Sequence, residues 1–190
     1  MTLDDATLRV ADALNAAGIL LMLVGGFSSN DCSIPHSTKD ADFVIQLDAP
    51  LDERFARTRG REFEAEPQMA FATNTGTLRQ EFRVEGPMFK VEIFRLSNDT
   101  EDQERFRRQQ RTELEGRQIF FPTPEDVIIG KLRWARAKDR EDVRAVIGVQ
   151  PARFDRPCIE NWCERLGTRA LLEQIRRTVP KTWPMGRAQP

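Results

Sequence analysis

Asp40 and Asp42, in the run Ser37-Thr-Lys-Asp-Ala-Asp-Phe-Val-Ile, stand at the entry of an apolar segment. Side chains at i and i+2 of a strand share one face. Two carboxylates so placed can bridge a hard divalent cation, which takes oxygen ligands. Mg²⁺ in particular keeps waters and borrows oxygens from substrate phosphates. Upstream, Leu23-Val-Gly-Gly-Phe-Ser-Ser-Asn turns at Gly25-Gly26, where backbone N–H groups can approach phosphate closely, the more so if a helix begins there. Downstream, Lys90-Val-Glu-Ile-Phe-Arg places Glu92 between Val91 and Ile93, an expensive position for an acid unless something pairs with it. With Asp40 and Asp42, Glu92 would complete a two-metal site. One ion would act on an attacking hydroxyl and the other would neutralise a leaving diphosphate.

Each of these residues also has a plainer reading. Asp40 and Asp42 could be a solvated strand entry, and Gly25-Gly26 only a tight turn. Glu92 could pair with an arginine such as Arg83 across a hairpin. Lys131 follows Val127 by four residues and Ile128 by three, at the edge of an apolar helical face where a lysine stem snorkels. Asp139 and Asp142 could be an N-cap with an acidic first turn. In an unbroken helix, Lys131 and Asp142 would face the same way, about three turns apart. His36, the single histidine, reads as a surface residue of a polar loop, and Trp134, Trp162 and Trp183 as packing residues.

The elements that must position these groups follow from periodicity. Apolar residues recur at helical spacing from Leu3 to Ala17, with Gly18 as a stop. Ile19 to Val24 is a buried strand, Phe27 to Asp31 a helical turn, Asp42 to Leu47 a second strand and Leu51 to Arg59 a surface helix. Leu78 to Val84 and Met88 to Leu96 flank Glu85-Gly86-Pro87 as a hairpin, and Phe106 to Leu114 with Ile119 to Phe121 flank Glu115-Gly116 as another. Thr123-Pro124-Glu125-Asp126 starts a helix, and helical pattern continues to about Thr178 with breaks near Lys138-Asp139 and at Pro151. The expected organisation is an α/β (α+β) core over residues 1–122, a helical region over 123–179 packed on it, and a flexible tail over 180–190.

These motifs resemble the polymerase-beta-like nucleotidyltransferases: a strand ending in Gly-Gly or Gly-Ser, a loop, an Asp-x-Asp strand start and a later acidic strand. The segment Glu125-Asp-Val-Ile-Ile-Gly-Lys-Leu-Arg-Trp-Ala-Arg-Ala-Lys-Asp-Arg-Glu-Asp-Val is similar to the helical region of their small bacterial members, which include abortive-infection type toxins. The resemblance covers roughly residues 20–146. It implies the nucleotidyltransferase fold: a short mixed sheet with flanking helices and a C-terminal helical region. It also implies that Gly25, Gly26 and Ser28 line a triphosphate pocket, with Thr38 also in the nucleotide-binding set. Asp40 and Asp42 would hold Mg²⁺, and Glu92 would be the third acid or the base. Lys131 would touch phosphate, assisted by Asp139 or Asp142. His36 departs from the family, whose small members often carry arginine there, and so does Ala41 between the two acids. The implied reaction moves an NMP from an NTP to an acceptor hydroxyl on RNA, a protein or a small molecule such as an aminoglycoside. Two competing expectations use the same residues. One is a non-catalytic nucleotide- or RNA-binding member, such as a toxin–antitoxin component; the other is a metal-dependent nuclease.

Composition narrows the classes. The 190 residues carry 29 basic and 30 acidic side chains, too balanced for a uniformly basic nucleic-acid coat. The balance joins two opposed halves: residues 1–104 hold 10 basic and 19 acidic residues, and 105–190 hold 19 and 11. A basic wall facing an acidic metal site is one expectation, and local cancellation is the other. The apolar run at residues 19–24 is far short of the roughly 20 residues that span a bilayer, so no membrane association is expected. Asp4 and Asp5 stand where a secretion signal would be cationic, and Cys32, Cys158 and Cys163 lack metal-ligand spacing. Free thiols and a cytoplasmic location are the expectation.

Overall fold

The computed structural model describes residues 1–47, 51, 55, 58–73, 76–84, 89–149 and 154–180. In chain order these form α1 (Leu3–Ala16), β1 (Leu20–Val24), α2 (Gly25–Cys32), β2 (Asp40–Gln46), β3 (Phe63–Ala65), β4 (Ala70–Ala72), β5 (Thr77–Val84) and β6 (Lys90–Arg95). There follow α3 (Thr100–Arg107), β7 (Gln110–Leu114), β8 (Arg117–Phe121), α4 (Pro124–Trp134), α5 (Ala137–Val149), α6 (Arg156–Arg165) and α7 (Arg169–Arg176). The chain divides into two compact units. One comprises Met1–Phe27 and Ser37–Phe121, the other Ser28–His36 and Pro122–Pro190. Among the described residues, no helix is long and apolar enough to cross a membrane.

In the first unit, α1 starts at a capping box. The Asp5 N–H donates to Thr2 Oγ1 at 3.1 Å and the Thr2 N–H to Asp5 Oδ2 at 2.9 Å. The mixed sheet runs β1-β2-β6-β5-β3, with β4 also on β5; β2 and β6 are parallel and the other pairs antiparallel. Register then sorts the side chains onto two faces. Leu21, Leu23, Phe43, Ile45, Val91, Ile93, Phe82 and Phe63 form the core with Leu8, Ala11 and Leu14 of α1. Each large apolar side chain so buried contributes roughly 1.5–3 kcal/mol. The opposite face is apolar at one end, where Met22 and Val44 pack with Phe106 of α3, and charged at the other.

The second unit has its own core of Val127, Ile128, Leu132, Val143, Val146, Ile159, Cys163, Leu172 and Ile175, joined by Cys32 of α2. Thr123 caps α4 by accepting from the Asp126 N–H, with Pro124 in the first turn. The helix ends at Ala135, whose φ of 54° is left-handed.

Several elements differ from expectation. β2 begins at Asp40 rather than Asp42, so both aspartates are strand residues. Phe106 belongs to a helix, not a strand. The Asp99 carboxylate accepts from the Glu101 and Asp102 N–H groups and so starts α3, which carries Phe106 onto the sheet. β3 and β4 have three residues each, too few for alternation to register. The helical break falls at Ala135–Arg136, ahead of Lys138. The turn at Glu85-Gly86-Pro87, most of the expected helix Leu51 to Arg59, Pro151 and the tail from 181 lie outside the described residues.

Candidate active site

The charged end of the first unit's sheet is built by register. Asp42 pairs in parallel with Glu92, and Glu92 pairs across the antiparallel ladder with Glu81. One step along, Asp40 pairs with Lys90, and Lys90 with Arg83. Partners in register share a face, so four carboxylates, Asp40, Asp42, Glu92 and Glu81, are gathered on one patch. Ala41, between the aspartates, is fully buried in the core on the other side.

Gly25 and Gly26 end β1 and open α2. Gly25 has φ +67°, a conformation that L side chains rarely adopt, and a Cβ there would overlap the Asp42 carboxylate. A Cβ on Gly26 would come within 2.6 Å of Thr38 Oγ1. The two glycines are therefore close-approach positions as well as turn residues. They let the Asp42 carboxylate and the Thr38 hydroxyl rest against backbone. Thr38 in turn donates to the Asp40 carbonyl at 3.2 Å.

Glu92 is engaged by two cations. Its Oε1 accepts from Lys90 Nζ and from Arg79 Nη1, both at 2.9 Å. Arg83, the partner considered from sequence, pairs with Glu66 at 2.6 Å instead. Lys90 Nζ also lies 3.9 Å from Glu81 Oε2. Burial alone would lower the Lys90 pKa, but the hydrogen bond and charge of Glu92, with Asp40 and Glu81, raise it above its ordinary value. Among the described residues, the group of acids whose ligand oxygens all come within 4.8 Å of one another is Asp99, Glu101 and Asp102, not the expected triad. That cluster is the start of α3: Asp99 caps the helix, and Asp102 accepts from Ser97 Oγ and Arg105.

The remaining expected residues belong to the second unit. Ser28 is buried in α2. Lys131 Nζ lies 2.6 Å from Asp142 Oδ2 and 3.5 Å from Asp139 Oδ1. Lys131 thus meets Asp142 although the helix breaks between them, and it is ion-paired in the interior rather than snorkelling. Ser29 Oγ donates to Asp142 Oδ2 at 3.4 Å, and His36 Nε2 lies 3.7 Å from Asp142 Oδ1. The His36 loop is clipped to Asn30, whose side chain bonds both the His36 N–H and its carbonyl. Asp139 accepts from the Arg136 N–H and guanidinium. Burial pushes the Asp139 carboxyl up, but the Arg136 hydrogen bonds and the charges of Lys131 and Arg136 bring it below its ordinary value. Cys32, nearby, has its thiol pushed up to about 12, chiefly by burial and then by Asp31. A thiol with that pKa is not a nucleophile at neutral pH. The C-terminal arginines cancel locally: Arg169 and Arg176 each bridge Glu160 and Glu173.

The family described as Nucleotidyl transferase of unknown function (DUF2204) matches residues 4–177. The chain belongs to that family. Solved structures agree at the level of fold. ANT(2″)-Ia in complex with adenylyl-2″-tobramycin aligns at a TM-score of 0.57 and 13% identity, over 90% of this chain and 99% of that chain. An antigenic nucleotidyltransferase-like protein from Paracoccidioides brasiliensis aligns at 0.55 and 17%, over 96% of each chain. The lincomycin-bound lincosamide antibiotic adenylyltransferase LnuA aligns at 0.51 and 12%, over 75% of this chain and 94% of that one. No curated protein matches this chain in sequence.

Two outcomes follow. Gly18 and Gly25 both have positive φ, but nothing lies within 4 Å of a Cβ at Gly18. Gly25→Ala should therefore cost at least about 1 kcal/mol more than Gly18→Ala in denaturant unfolding, the excess coming from overpacking against Asp42. Equal costs would contradict the close approach. Asp139, whose folded pKa lies below its ordinary 3.8, contributes stability above that pH and loses it as pH falls through the folded value. Asp139→Asn should destabilise the protein by on the order of 3 kcal/mol at neutral pH. The gap to wild type should narrow below about pH 4. A gap independent of pH would contradict the assignment.

Proposed function

We propose that this protein moves a nucleoside monophosphate from an NTP to an acceptor hydroxyl in a Mg²⁺-dependent reaction. The acceptor oxygen bonds the α-phosphorus and gives up its proton to solvent, the bond from the α-phosphorus to the bridging oxygen breaks, and diphosphate leaves. The observation that carries the reading is the placement of Asp40 and Asp42 on one face of β2, with the Asp42 carboxylate seated against the α-carbon of Gly25.

That donor set fits the ion: both ligands are hard carboxylate oxygens, and the bare Gly25 leaves Asp42 the room it occupies. Mg²⁺, when bound, would neutralise charge along the triphosphate and on the departing diphosphate. The chain's own contribution is binding and orientation. α2 begins at Gly25, and in this reading the N–H groups of its first turn, Gly26 and Phe27 among them, would bind triphosphate oxygens. Thr38, packed against Gly26, fixes the loop that leads into Asp40. Phosphoryl transfer of this kind draws its rate mainly from positioning and electrostatics.

The antibiotic names carried by two structural neighbours make a small hydroxyl-bearing molecule a reasonable first acceptor to try, beside RNA and protein hydroxyls. The Asp40→Asn, Asp42→Asn variant should melt at or above the wild-type temperature, because the repulsion within the acid row is reduced, and should lose Mg²⁺-dependent NTP binding by at least tenfold in calorimetry. Unchanged binding would remove the basis of the assignment.

A further inference from the structure

Three carboxylates in register on adjacent strands, Asp42, Glu92 and Glu81, repel one another, since like charges directly opposite in a sheet are destabilising. Strand neighbours are only about 4.8 Å apart, and Glu92 is 7% exposed, so water screens it little. Two metal ions, expected from the sequence at Asp40, Asp42 and Glu92, would relieve this repulsion. In the structure, side chains already do so on one side of the row. Lys90 Nζ lies 2.9 Å from Glu92 Oε1 and 3.9 Å from Glu81 Oε2, and its residue is the register partner of Asp40. Arg79 Nη1 lies 2.9 Å from the same Glu92 oxygen.

We infer that Lys90 is the resident cation of this site, standing beside Glu92 where a second divalent ion would otherwise be needed. The protein then takes one divalent ion, at Asp40 and Asp42, and Glu92 serves as the anchor of Lys90 rather than as a third ligand. The inference rests on reading Asp40 and Asp42 as the ligands. Two features support it independently of that reading. Glu92 is engaged by two cations through one oxygen, and the three acids do not share a common ligand point. Formal charge agrees as well. Lys90 and Arg79 offset two of the four negative charges of Asp40, Asp42, Glu92 and Glu81, the share that a second divalent ion would otherwise offset. Arg83, on the same face, is matched by Glu66.

The test is metal stoichiometry, read by electron paramagnetic resonance of Mn²⁺ titrated into the full chain with a non-hydrolysable NTP analogue. Wild type should bind one Mn²⁺ per chain. Lys90→Gln should bind a second, or bind the first at least tenfold more tightly. Lys90→Arg, which keeps the charge, should stay at one, as should Arg83→Gln. Two ions in wild type would overturn the inference whatever the variants do, while leaving Asp40 and Asp42 as ligands. One ion in both wild type and Lys90→Gln, at equal affinity, would overturn it as well. No specific Mn²⁺ in any of the proteins would overturn the ligand reading and the inference together. If Lys90→Gln fails to fold, the wild-type count still decides.

Discussion

The repulsion among carboxylates placed side by side by strand register is the constraint on which the rest of this structure turns. Parallel pairing of β2 with β6 sets Asp42 beside Glu92, and antiparallel pairing of β6 with β5 sets Glu81 beyond it. A sheet built for stability alone would not align acids in this way. The patch survives because its other face is a continuous apolar core beneath α1, and because Lys90 and Arg79 sit within it. The strain is confined to one end of one face, where β1 ends in glycine and leaves room for a carboxylate.

The second unit solves a similar problem with different means. Asp139 and Asp142 are buried, and Lys131 and Arg136 neutralise them at hydrogen-bond distance. A buried ion cluster of this kind adds little net stability over an apolar alternative, but removing one member leaves a charge stranded. The left-handed break at Ala135 orients α5 so that residues eleven apart can still meet, and Ser29 of α2 joins them. Lys131 therefore acts first as the counter-ion of Asp142. Any further role must leave that pairing or share it.

Much of the fold was legible from sequence because it rests on local signals. Gly18, Thr123 and Pro124 mark helix ends, and the strands that carry Phe43, Val91 and Ile93 follow from apolar runs. α3 carries a capping sequence, Asn98-Asp99-Thr-Glu-Asp, but its aromatic Phe106 and the Glu115-Gly116 turn beyond it read equally as β structure. Of the site, the types and spacing of Asp40, Asp42, Gly25 and Gly26 were visible. The engagement of Glu92 was not, because its partner Arg79 lies thirteen residues away and the pairing depends on the β5–β6 register. Lys90, two residues before Glu92 on the same face, was the available signal: a cation and an acid at i and i+2 of one strand already imply a pair.

The family assignment and the fold frame the chemistry, and the acceptor gives it biological meaning. The central claim is that phosphorus moves from an NTP to a hydroxyl. The most direct measurement follows the fate of label from α-³²P- and γ-³²P-NTPs incubated with the protein, Mg²⁺ and a panel of RNA, protein and small hydroxyl acceptors. The account predicts α-label on an acceptor and γ-label only in diphosphate. Nucleic-acid cleavage without NTP, or NTP binding with no label transferred to any acceptor, would contradict it.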